Sequence, residues 1–186
     1  MNNFEIKKWE PNLDLTEFYT RASQRGFVNN ADQKSMIDCF RNEREWNAWV
    51  LYYNENPVGS VAAHSFDIMG PDSYRVLTRV CTFGEQRNHK GLIKTKKLVA
   101  EHQNLTDQFL LPACISWTGC EKNLYATSNN SSEASQRLVH KFYFPTLEKI
   151  GLVKRKTEVK YRGLKQTVWQ IFPKEFLNHL NQFPRW

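Results

Sequence analysis

The sequence predicts an α/β domain built on a central mixed, mostly antiparallel sheet flanked by helices on both faces. Three observations carry this. Strand-like runs at Trp46–Tyr53, Val58–Ile68 and Tyr74–Phe83 follow one another with only turn residues between them, as a meander requires. Helical and strand patterns then alternate through Lys90–Ile150. The runs Leu152–Tyr161 and Leu164–Phe172 close the pattern as a hairpin around Arg162-Gly163.

Each element has a local cause. Phe4–Trp9 reads as a short first strand ended by Pro11-Asn12. In Leu13–Arg25, the residues Leu15, Phe18, Tyr19 and Ala22 recur at helical spacing, and Gly26 stands where a helix-terminating glycine belongs. Asn30 and Gln33 resemble a capping box for a second helix with Met36, Ile37 and Phe40 inward. Asn54-Glu55-Asn56-Pro57 makes a hairpin turn, and Gly70-Pro71-Asp72-Ser73 makes the next. A helix is expected over Lys90–His102. Asp107–Glu121 fits helix or strand, because Pro112 argues against an unbroken version of either beyond its first turn. Asn123–Thr127 reads as a short strand. Ser131 or Ser132 caps a long helix to Ile150, ended by Gly151 and kinked at Pro145. Pro173 opens a terminal helix carrying Phe176, Leu177 and Leu180.

With 186 residues, the chain is expected to form one domain over 1–186. The charged (24%) and hydrophobic (40%) fractions exclude a disordered or fibrous chain. No apolar run approaches the roughly 18 residues that would span a bilayer, so no membrane role is expected. The first residues, MNNFEIKKWE, lack an apolar signal core, which makes the cytoplasm the expected compartment. Cys39, Cys81, Cys114 and Cys120 show no metal-ligand spacing and read as free thiols. The net charge of +7 favours a polyanionic partner: nucleic acid, an acidic substrate or a phosphorylated cofactor.

The run YRVLTRVCTF, followed by the basic turn GEQRNHKGLI and the lysine-rich KTKKLVAEH, narrows that choice. A strand that ends in such a turn and opens into a helix presents unpaired N–H groups and a positive dipole end to a phosphate. In its place in the element order, this segment resembles the cofactor motif of the GNAT family of acetyl-CoA-dependent N-acyltransferases. Two further stretches share the resemblance, which spans Phe4 to Phe172. NENPVGSVAA matches the family's second and third strands, and FPTLEKIGLVKR matches the end of its last long helix. The family pattern of Gln or Arg, two residues, Gly, one residue, then Gly or Ala is only partly kept. Aligned on Gly91, it places Asn88 first and Ile93 last; aligned on Arg87, it places Lys90 at the first glycine. The family's tyrosine four residues before the helix-ending glycine is Leu147 here, with Tyr143 one turn earlier.

The resemblance implies acetyl-CoA as cofactor and direct attack by an amine on its thioester. Main-chain N–H groups near Cys81 and Phe83 would polarise the acyl carbonyl. Amides of His89, Lys90, Gly91, Leu92 and Ile93 would take the pyrophosphate, with Arg87, Asn88 and Lys94 beside them, and Asn129 would meet the pantetheine amides. His64 and Glu85 are the candidate general bases, and Tyr143 is the candidate acid; each also has a purely structural reading. Arg75 and Arg79 share strand parity, and on the acceptor side they would favour an acceptor with a negative group. No metal is called for, and the expected assembly is a monomer or homodimer.

A second class of function fits KRKTEVKYRGLK. There Lys154, Lys156, Lys160 and Arg162 are expected on one face of a ribbon, with Tyr161 and Trp169 nearby. Such a ribbon can track nucleic-acid phosphates, making residues 154–165 the alternative binding element.

Overall fold

The computed structural model describes residues 4–24, 33–82, 105–130 and 139–182. They form a seven-stranded sheet in the order β1-β2-β3-β4-β5-β7-β6. The strands are β1 (Phe4–Lys8), β2 (Trp46–Tyr53), β3 (Asn56–Ser65), β4 (Ser73–Thr82), β5 (Asn123–Ser128), β6 (Val153–Tyr161) and β7 (Leu164–Ile171). The helices are α1 (Thr16–Gln24), α2 (Gln33–Phe40), α3 (Leu111–Thr118), α4 (Phe144–Lys149) and α5 (Pro173–Leu180). Every neighbouring pair is antiparallel except β4 with β5.

The sheet sits between two apolar layers. Leu15, just before α1, and Phe18, Tyr19, Ala22 and Phe40 of α1 and α2 pack with Ala48, Val50, Ala62 and Cys81 on one face. On the other, α3, α4 and α5 contribute Leu111, Ile115, Phe144, Leu147, Phe176 and Leu180 against Val61, Ala63, Val76 and Leu124. β3 lies between both layers and is buried continuously from Val58 to Ser65, as a central strand should be.

The β2–β3 turn puts Asn54 and Glu55 at φ +47° and +67°, the left-handed pair that a tight two-residue hairpin needs. β3 ends at Ser65, before the expected Ile68. The Phe66 N–H donates to the Ser73 carbonyl at 2.8 Å, and Asp67–Met69 then form a single 3₁₀ turn with Ile68 exposed. The ambiguous stretch is helical: Thr106–Leu110 is a π turn that continues into α3, with Pro112 directly after the π turn at the second position of α3. The kink expected near Pro145 takes the same form, a π turn at Val139–Tyr143 leading into α4. The expected helix Lys90–His102, the caps at Asn30 and Ser131 or Ser132, and Gly26 lie outside the described residues.

Candidate active site

β4 is the irregular strand of the sheet. Pairing with β3 runs through Ser65↔Tyr74, His64↔Arg75, Ala62↔Thr78 and Ser60↔Cys81, so β4 carries one extra residue in each of two intervals. Leu77 and Arg79 absorb these bulges at φ +55° and +53°. Arg75, Thr78 and Cys81 therefore occupy successive positions across from β3, three residues apart. The simple alternation expected to align Arg75 with Arg79 fails, because Arg79 falls inside the second bulge.

The bulged half of β4 also parts from β5. Their ladder comprises Ser73↔Asn123, Tyr74↔Leu124 and Arg75↔Tyr125, although β4 continues to Thr82 and β5 to Ser128. β5 is held on its other edge by β7 as far as Ser128↔Thr167. Past Arg75 and Tyr125 the sheet thus opens into a wedge, edged by β4 from Val76 and by β5 from Ala126. Gly59 lies across from Thr82 at the open end, where an added Cβ would come within 3.3 Å of the Cys81 carbonyl oxygen. Cys81 itself is buried against the α1–α2 layer. Asn129, half-buried, follows β5 directly.

At the closed end of the wedge, on the α1–α2 face, lies a polar cluster walled by aromatic rings. His64 is fully buried between Phe40, at 5.2 Å, and Tyr161, stacked at 6.3 Å. Its Nδ1 lies 2.7 Å from the Ser65 carbonyl and 3.4 Å from Glu43 Oε2, so Nδ1 carries the proton and donates it. Nε2 is left as a buried lone pair without a partner among the described residues. Burial first, then the charge of Arg75, pushes His64 down to about 4, against the pull of Glu43. The imidazole is neutral at physiological pH.

Glu43 is held by three groups. Its Oε1 accepts from Arg162 Nη2 and from the Tyr161 hydroxyl, each at 3.0 Å, while Oε2 faces His64. Arg162, at φ +50° in the β6–β7 turn, also donates to the Cys39 carbonyl at 2.6 Å and reaches the Cys39 sulfur at 2.6 Å. The hairpin tip is thereby folded onto the end of α2. Arg75 also lies over the Tyr161 ring, its guanidinium carbon 4.8 Å from the ring centre.

Tyr143 sits on the opposite face. Its hydroxyl donates to Asp107 Oδ1 at 2.6 Å, which joins the two π turns. Burial, then the Asp107 charge, raises the phenol well above its ordinary value. Nearby, Trp169 Nε1 donates to the buried Ser128 hydroxyl at 2.8 Å, and that hydroxyl lies 3.0 Å from His140 Nδ1.

The structure thus brings His64 and Arg75 together and sets Tyr143 beyond the sheet from them. Phe83, Glu85, Arg87, Asn88, His89, Lys90, Gly91, Leu92, Ile93 and Lys94 lie outside the described residues. The ribbon expected to align four cations is broken. A bulge between Arg155 and Thr157 interrupts its alternation, Arg162 pairs with Glu43, and Glu158 binds Lys165 at 2.6 Å. Glu43, Cys39 and Asp107 were not visible as partners in these clusters, because the groups they bind are 36 to 123 residues away in sequence. Among the described residues, no helix is long and apolar enough to cross a membrane, and no group of His, Cys, Asp and Glu could hold a metal ion.

No protein-family model matches the chain, and no curated protein matches it in sequence. Solved structures do match its fold. A GNAT-family acetyltransferase structure from Desulfovibrio desulfuricans superposes with a TM-score of 0.54 at 13% identity, over 91% of this chain and 98% of that one. The ribosomal-protein-S18-alanine N-acetyltransferase from Escherichia coli gives 0.53 at 13% identity, over 91% and 93%. A spermidine N-acetyltransferase chimera of the Vibrio cholerae and hSSAT proteins gives 0.53 at 11% identity, over 94% and 98%. The chain has the GNAT acyl-CoA N-acyltransferase fold, carried by a far-diverged sequence.

Proposed function

We propose that the chain is a diverged GNAT enzyme that transfers the acetyl group of acetyl-CoA to the amine of an acceptor. The wedge between β4 and β5 carries this reading. Among the described residues, no strand lies between its two strand edges, whose main-chain N–H and C=O groups suit an extended arm bearing amides, held as an added strand would be. Bound there, acetyl-CoA supplies an activated acyl carbon.

Each residue then has a role on a stated side. Main-chain N–H groups of the bulged segment near Cys81 and Phe83 polarise the acyl oxygen, a contribution of ~3 kcal/mol per donor. Asn129 serves the arm's amides, and the basic turn from Arg87 to Lys94 serves the phosphates. His64 Nε2 takes the proton released by the attacking amine, with Glu85 the other candidate base. A lone pair of such low basicity accepts that proton as the C–N bond forms, when the nitrogen becomes strongly acidic. As the C–S bond breaks, Tyr143 is the candidate donor to the sulfur, and it acts only if its proton leaves Asp107. The four free cysteines suit a reducing compartment and support a cytoplasmic setting.

Amine-dependent release of free thiol from acetyl-CoA tests this reading. The wild-type protein is expected to release thiol with a panel of amines, and His64→Gln to lower kcat by about 10²-fold with little change in KM for acetyl-CoA. Equal rates for the two proteins would remove His64 from the chemistry.

A further inference from the structure

The polar cluster at the closed end of the wedge is incompletely satisfied, and what it lacks is specific. Arg75 has no carboxylate within ion-pair distance among the described residues, and its Nε is buried without an acceptor. Its guanidinium lies against the Tyr161 side chain, and Arg162 lies against the same ring at 5.2 Å. The carboxylate in reach of the cluster, Glu43, is already shared by Arg162, Tyr161 and His64. Glu43 and Arg162 cancel in charge, which leaves Arg75 as one uncompensated cation among the described residues of the cluster. Burial and then the nearby Arg162 lower its pKa, as expected of a cation lacking an anion. A half-buried guanidinium in this state is costly unless a ligand completes it.

His64 is the cross-strand partner of Arg75, so their side chains begin within about 5 Å of each other. Its Nε2 needs a hydrogen-bond donor, while Arg75 needs an anion. Thr78, the next β4 position on that face, adds a buried hydroxyl without a partner among the described residues. A molecule with an N–H group and a carboxylate close together meets both demands. One unpaired cation matches a monoanion. A phosphomonoester, near −2 at neutral pH, would call for a second free cation, and Arg162 is committed to Glu43.

We propose that the acceptor is a small amine bearing a carboxylate, an amino-acid-like compound whose carboxylate binds Arg75 and whose amine faces His64 Nε2. This rests on the acyltransferase reading for what happens to the amine, but the binding claim stands apart from it. The test is thermal unfolding of the full chain with the twenty α-amino acids and a set of ω-amino acids, each against its carboxamide, with and without acetyl-CoA. At least one acid is expected to raise the melting temperature where its amide does not. Arg75→Gln should weaken that response by about 10- to 100-fold in half-saturating concentration, and Arg75→Lys should restore part of it. Both variants should keep the wild-type response to acetyl-CoA, which also shows that they are folded. A flat response to every acid, equal responses to acids and amides, or an undiminished response in Arg75→Gln overturns the proposal. A protein that responds to an acid but not to acetyl-CoA keeps the carboxylate site and loses the acyltransferase reading.

Discussion

At the scale of single residues, His64 shows how environment outweighs residue type. A strand histidine is ordinarily a bland residue; here burial keeps it neutral and Ser65 fixes its tautomer. The consequence for stability has a definite sign. The unfolded chain takes up a proton near the ordinary histidine value of about 6.5, whereas the folded chain resists until about 4. Between those values the unfolded state binds more protons, so stability falls as the pH falls. The loss approaches about 3 kcal/mol by pH 4 and is absent above pH 7. Chemical denaturation from pH 7 to 4, compared with His64→Gln, should show this slope in the wild type and a shallower one in the variant. Parallel slopes would mean that the imidazole is not buried neutral. His64 and Arg75 could be picked out from the sequence as candidate groups. What completes them could not, because Glu43 lies 119 residues from Arg162 and only the folded hairpin joins them.

At the scale of elements, pattern was a good guide wherever a strand or helix is regular. The apolar spacing of α1, the β2–β3 turn and the terminal helix stand as their residues suggest, because each is governed by local backbone preference. Pattern failed at β4. Bulges come from competition between pairing partners, and YRVLTRVCTF reads as an ordinary β-branched strand whether or not two residues are squeezed out. The wedge was equally hidden, since it is a pairing of β4 with β5 that stops partway while each strand stays paired on its other edge. Gly59 marks its rim. Gly59→Ala would set a methyl 3.3 Å from the Cys81 carbonyl and push β3 away from the end of β4. This should cost about 1 kcal/mol of stability and weaken acetyl-CoA binding more than it weakens folding. An unchanged affinity for acetyl-CoA would show that the rim does not shape the cofactor site.

At the scale of the whole molecule, the two helical layers divide the work. The α1–α2 face holds a neutral imidazole and, among the described residues, an uncompensated cation; the opposite face holds Tyr143 and Asp107, and the wedge lies between them. Element order was enough to reach the fold at 11–13% identity to its structural neighbours, because order and handedness of connection outlast side chains. The alternative of a nucleic-acid ribbon rested on four cations sharing one face beside Tyr161 and Trp169, and the fold pairs Arg162 with Glu43 and Lys165 with Glu158.

The most direct test is the melting temperature of the purified chain in acetyl-CoA. At a hundredfold excess over Kd, a ligand that binds only the folded state adds about 2.7 kcal/mol, a rise of about 5–10 °C for a chain of this size. A concentration-dependent rise of that order is expected. An unmoved transition at millimolar acetyl-CoA would contradict the cofactor site and leave the fold without the activity.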